Sequence, residues 1–97
     1  MTMTNLREEY SAKIKLQLAE LNANVDVMEA KMQLAKAEVR ATYRGELAKL
    51  RLQSEQASDK LAQMQTSGEE TWDKMVLEMD KVRDAFVHSY NYFKAQL

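Results

Sequence analysis

The sequence predicts an all-α fold: a long-helix antiparallel hairpin of the coiled-coil type that assembles into a helical bundle. Three observations lead there. The 97-residue chain has no proline and only two glycines, so the tight turns of an all-β protein are scarce. From Leu6 to Met64 the strong helix formers Ala, Leu, Glu, Lys, Gln, Arg and Met dominate. The apolar residues recur at alternating spacings of four and three, which is the seam of a coiled coil. A chain this short forms a single domain, 1–97.

The first helix is expected over about 6–65. Its seam runs Ile14, Leu18, Leu21, Val25, Met28, Met32, Ala35, Val39. The row then steps Val39, Tyr43, Leu47, Leu50, and two successive fours make a stutter that relaxes the supercoil. Gly45 sits inside the stutter and reads as tolerated within a continuous helix, at a cost of about 1 kcal/mol against alanine. The row resumes as Leu47, Leu50, Ser54, Ala57, Leu61 and Met64, reaching Gly68.

A turn is expected at about 66–69. Ser67 with Glu70, or Thr66 with Glu69, fits a capping box. Gly68 alternatively fits the left-handed residue that ends a helix. A second helix is then expected over about 69–96, opening on Glu69, Glu70 and Asp73, which suit the positive end of a helix dipole. Its row is Trp72, Met75, Met79, Val82, Phe86, Tyr90, Phe93, Leu97. Hairpin packing is assigned to Leu47, Leu50, Leu61 and Met64 against Trp72, Met75, Met79, Val82 and Phe86. In that register Asp73 faces Lys60, Asp84 faces the segment around Arg51, and His88 faces Glu46.

The lengths do not match. At 1.5 Å per residue, helix one would measure roughly 90 Å and helix two roughly 42 Å. Half of helix one would stay wet, so its seam from Ile14 to Val39 is expected to pack on a second copy. A homodimer is the first expectation and a tetramer the second. A second apolar seam, Leu16, Val27 and Leu34 with alanines between, lies on the opposite face and would admit another helix. Ala85, Val87, Tyr92 and Ala95 widen the apolar stripe near the C-terminus, which is expected to be buried in the core or on the partner chain; the alternative is a docking patch for another protein at Tyr90, Tyr92 and Phe93.

Chemistry is thin. There is no cysteine and one histidine, His88. Asp84, four residues earlier, could orient it, but no nucleophile motif accompanies the pair, and it reads as a surface pair. The pairs Met28/Met32 and Met75/Met79 could ligate Cu(I). They lie on the core row, where methionine is a gap filler. No catalytic or metal-binding residue is assigned, and no cofactor. A formal net charge of −1 gives no polyanion-binding surface, so no nucleic acid is expected. No signal peptide or membrane span is visible, which points to the cytoplasm.

The stretch KIKLQLAELNANVDVMEAKMQLAKAEV at 13–39, with SGEETWDKM and KVRDAF later, resembles small bacterial coiled-coil proteins likened to apolipoprotein-type amphipathic helices. The resemblance spans roughly residues 13–86. It implies a helical bundle linked to stress or envelope processes, and no activity or catalytic residues. The expectation for function is a non-enzymatic, self-associating coiled-coil module with a structural or protein-interaction role. The alternative is an amphipathic protein that binds a lipid surface or a hydrophobic ligand.

Overall fold

A computed structural model describes the backbone of residues 3–96 and the side chains of residues 6–96, so Leu97 of the expected row lies outside the described residues. The chain is an all-α bundle of three helices: α1 (Met3–Gln33), α2 (Ala37–Gln65) and α3 (Glu69–Gln96). The expected hairpin is present as α2 and α3, and its turn and second helix fall where the sequence placed them. The expected single helix over 6–65 is not continuous. It breaks at Leu34–Lys36, and α1 folds back along the other two helices.

The break uses neither glycine nor proline. The last turn of α1 tightens, with the Leu34 amide donating to Lys31 O at 3.2 Å and the Ala35 amide to Met32 O at 3.0 Å. Lys36 is extended at φ −62°, ψ 152° and provides no side-chain cap for α2. Only charge marks the reversal: Lys31 lies in the last turn of α1 and Glu38 in the first turn of α2.

Magnitudes explain why the chain bends. The reversal forfeits three or four helical hydrogen bonds, each worth about 1 kcal/mol net. It buries Ile14, Leu18, Val25, Met28 and Met32, and each side chain of that size contributes roughly 1.5–3 kcal/mol. Burial outweighs the break severalfold. The row Ile14 to Met32, expected against a second copy, is therefore core within one chain. Leu21 packs at its margin, half-buried. Val39 falls off the row and is 37% exposed, because it lies beyond the reversal.

Helices of 31, 29 and 28 residues each run nearly the full length of a particle measuring 53 × 19 × 18 Å. Leu47, Leu50, Ala57, Leu61 and Met64 of α2 and Trp72, Met79, Phe86 and Phe93 of α3 complete the core. The two remaining members of the expected hairpin set, Met75 and Val82, are half-buried against it. Tyr43 closes one end, its ring 5.6 Å from that of Phe93 and its hydroxyl donating to Gln96 O at 3.2 Å.

The second turn holds its position for a different reason from the expected one. The hydroxyls of Thr66 and Ser67 donate backwards, to Gln63 O at 3.0 Å and Met64 O at 2.8 Å. They satisfy the last carbonyls of α2 rather than the first amides of α3. Gly68 has no positive φ, so it is not a left-handed terminator. Gly45 lies inside α2, and a Cβ there would meet nothing within 4 Å.

Two outcomes test this fold. Probes at Glu8 and Ala62 should lie within roughly 25 Å of each other, since packed helix axes are about 8–10 Å apart. An unbroken helix would hold them roughly 80 Å apart. Gly45→Ala should raise stability by about 0.5–1 kcal/mol in thermal denaturation, because the helical backbone accepts it and the unfolded chain loses freedom.

Candidate interaction surface

The side chains that join α1 to the hairpin gather near the Thr66–Gly68 turn. Arg7 is central to the group. Its Nη2 donates to Met64 O at 3.0 Å and to Ser67 O at 2.8 Å, so a cation sits at the negative end of the α2 dipole. The same guanidinium lies 4.5 Å above the Trp72 ring, a cation–π contact. Tyr10 meets that ring edge-on at 5.8 Å and 84°, and its hydroxyl donates to Asp80 Oδ1 at 2.6 Å. Asp80 also lies 3.5 Å from Arg83. Nothing in the sequence flags Arg7 or Tyr10, because their partners are reached only after the reversal at Leu34–Lys36.

Further along, Arg51 of α2 pairs with Asp26 at 2.7 Å and Glu29 at 2.5 Å, both on α1, and Ser54 bonds Asn22. Asp84 was expected to face the Lys49–Arg51 segment. The folded-back helix offers Arg51 two carboxylates instead, and Asp84 pairs with its neighbour Arg83 at 3.2 Å. Lys60 likewise pairs with Glu78 at 2.9 Å rather than with Asp73. That ammonium, as hydrogen-bond donor and as charge, holds the Glu78 carboxyl below its ordinary range.

Among the described residues, His88 and Asp84 do not come together as a pair. His88 is exposed beside Glu46, Lys49, Ser89 and Tyr92 in an open groove, and Asp84 is engaged elsewhere. Among the described residues no group of three or more His, Cys, Asp or Glu converges as a metal site. Met28, Met32 and Met79 are buried core, with Met75 half-buried beside them. The expected C-terminal patch is dispersed: Phe93 is wholly buried, Tyr90 packs on the core, and only Tyr92 stands out. Tyr90 and Phe93, three residues apart, share the core face, and Tyr92 points away from it.

The second seam has a different fate. Leu16, Val27 and Leu34 are 61%, 53% and 90% exposed, and nothing in the bundle covers them. They belong to a longer stripe of exposed residues: Ala12, Leu16, Ala19, Ala23, Val27, Ala30 and, one residue past α1, Leu34. The spacings are four, three and four, repeated once, which is an eleven-residue repeat. Such a repeat nearly matches the helix period, so the stripe runs almost straight along the outer face of α1. No described helix is long and apolar enough to cross a membrane. No protein-family model matches the chain, and no curated protein or solved structure is significantly similar to it.

The Tyr10 hydroxyl is held above its ordinary value of 10.0, by burial first and by its bond to Asp80 second. A raised folded-state value means that the neutral hydroxyl's contribution is intact below about pH 10 and fades as pH rises further. Tyr10→Phe should cost about 1–2 kcal/mol at neutral pH. The gap between wild type and variant in chemical denaturation should narrow above pH 10.

Proposed function

We propose that this protein is a non-enzymatic helical module that works through its surface, as a self-associating structural or protein-interaction element. One observation carries the reading. The core is complete within a single chain, yet the outer face of α1 still presents Leu16, Val27 and Leu34 to solvent in a regular stripe. Single exposed apolar residues are ordinary on any protein. A row of them along one helix, spaced to stay on one line, is the pattern of a helix that packs on another helix.

The chemistry supports the same reading. The sole histidine is exposed, and the polar clusters that form among the described residues join one helix to the next. They orient the bundle.

Light scattering tests this proposal. The measured mass should rise from the 11.2 kDa of the monomer towards twice that value as concentration increases to about 100 μM, the range of a weak interface. Val27→Glu should abolish the rise while leaving stability within about 0.5 kcal/mol, since the position is exposed. A constant monomer mass across that range would overturn the reading.

A further inference from the structure

We infer that the inner face of α1 is an exchangeable contact. Two copies of this chain swap their first helices, each α1 packing on the hairpin of the other, while α1 and α2 of each copy join into one continuous helix. The outer stripe takes no part, so the exchange goes beyond the surface contact proposed above.

The hinge is the first observation. Leu34, Ala35 and Lys36 include neither glycine nor proline, and Lys36 gives α2 no side-chain cap. All three residues are compatible with helix, and straightening the hinge regains the helical hydrogen bonds that the reversal gives up. A short hinge whose sequence suits the straight form favours exchange of the element it tethers.

Phase is the second. On one straight helix turning about 100° per residue, the mean directions of the buried row of α1, Ile14 to Met32, and the buried row of α2, Leu47 to Met64, agree within about 20°. A reversal makes no such demand, because a turn reorients the helix that follows it. A two-fold antiparallel pair of long helices does, since each must show a single face to the other along its whole length.

Register is the third. The polar pairs that join α1 to α2 and its C-terminal turn are Asn22 with Ser54, Asp26 with Arg51, and Arg7 with Ser67 O. All three are centred close to Ala37 and Glu38. Two long helices crossing on a two-fold axis at that point remake each pair between copies, along with the buried rows. The exchanged interface is therefore the α1–hairpin interface already described, made twice, and it covers the core as fully as the single chain does.

Charge sets the balance between the two forms. At the axis, Val39, 37% exposed in the single chain, meets the stem of Lys36 from the other copy. Lys36 and Arg40 of both copies surround that point, while Glu38 lies on the far side of the helix. The cations repel at low salt, so the closed single chain is the resting form. The exchanged dimer forms when chains fold at high concentration, where a second copy competes for the open side of the hairpin. It then dissociates slowly, because α1 must leave a packed core.

Refolding from denaturant at about 1 mM, the range in which tethered and free segments compete, should give a species of twice the 11.2 kDa monomer mass. It should separate by size exclusion and survive dilution to about 1 μM. The chain has no native cysteine, so spin labels on Glu20→Cys and Glu55→Cys read the hinge. With labelled chain refolded in excess unlabelled chain, the labels should lie roughly 50 Å apart in the dimer and roughly 20 Å apart in the monomer. Ala37→Pro separates the forms without threatening the fold. Lys36 already has the extended ψ of 152° that suits a residue before proline, and proline is favoured at the first position of a helix, whereas a continuous helix would hold it in its interior. That variant should match or exceed wild type in thermal stability and lose dimer on the order of a hundredfold. Lys36→Leu should raise the dimer-to-monomer ratio on the order of tenfold, by replacing a repelled cation with an apolar side chain at the axis. No persistent dimer after concentrated refolding, or a dimer whose labels read roughly 20 Å, overturns the exchange. Val27→Glu should leave the exchanged dimer unchanged. A dimer lost in Val27→Glu but kept in Ala37→Pro belongs to the outer stripe, which overturns the exchange and upholds the surface contact. A constant monomer mass under native conditions, with a persistent dimer after refolding, overturns the surface contact and upholds the exchange.

Discussion

The core of this bundle is one row of apolar side chains drawn from each of three helices, and it exists only because the chain reverses at Leu34–Lys36. With α1 extended away, α2 and α3 would form a two-helix hairpin with Leu50, Met64, Met79 and Phe86 covered on one side only. A pair of helices encloses few side chains completely. The third helix brings Ile14, Leu18 and Val25 into the open side and turns a seam into an interior. Fully buried Phe86, Phe93, Ile14, Leu50, Met64, Met79 and Val25 are the result, and they come from all three helices.

A reversal with no glycine, no proline and no side-chain cap has little local preference to recommend it. It is held from a distance. Arg7 fastens the start of α1 to the last carbonyls of α2 and to the face of Trp72, while Tyr10 reaches Asp80 on α3. Arg51 fastens the other half of α1 through Asp26 and Glu29. Partly exposed ion pairs of this kind are individually weak, on the order of 0.2–1 kcal/mol. Their value is directional: they fix which face of α1 turns inward, and so which residues remain outside.

Periodicity made most of the core legible. Spacings of four and three named the buried residues of all three helices, and Thr66–Gly68 announced its turn by composition. The first reversal was not legible, because the residues there, Leu34, Ala35 and Lys36, are all compatible with helix. The deciding term was tertiary burial of Ile14 to Met32, which no local signal encodes. The charge pair Lys31 and Glu38 was the one available hint. The other differences follow from the reversal: the seam expected on a partner is internal, Arg51 pairs with α1, and Arg7 and Tyr10 reach partners that only the folded-back helix brings near. Phe93 lies on the core row that the spacing marks, and its burial there leaves Tyr92 alone outside.

The correction changes what the outer stripe means. While the seam from Ile14 to Val39 lacked cover, any second copy would have gone there, and Leu16, Val27 and Leu34 were secondary. Once that seam is internal, the stripe is the longest apolar line the bundle leaves uncovered. Alanine fills the positions between its large residues, which keeps the exposed area within what a monomer tolerates while leaving room for a helix to approach. A face built this way does not hold the fold together. On the reading proposed above, it is the face through which the protein would meet a partner.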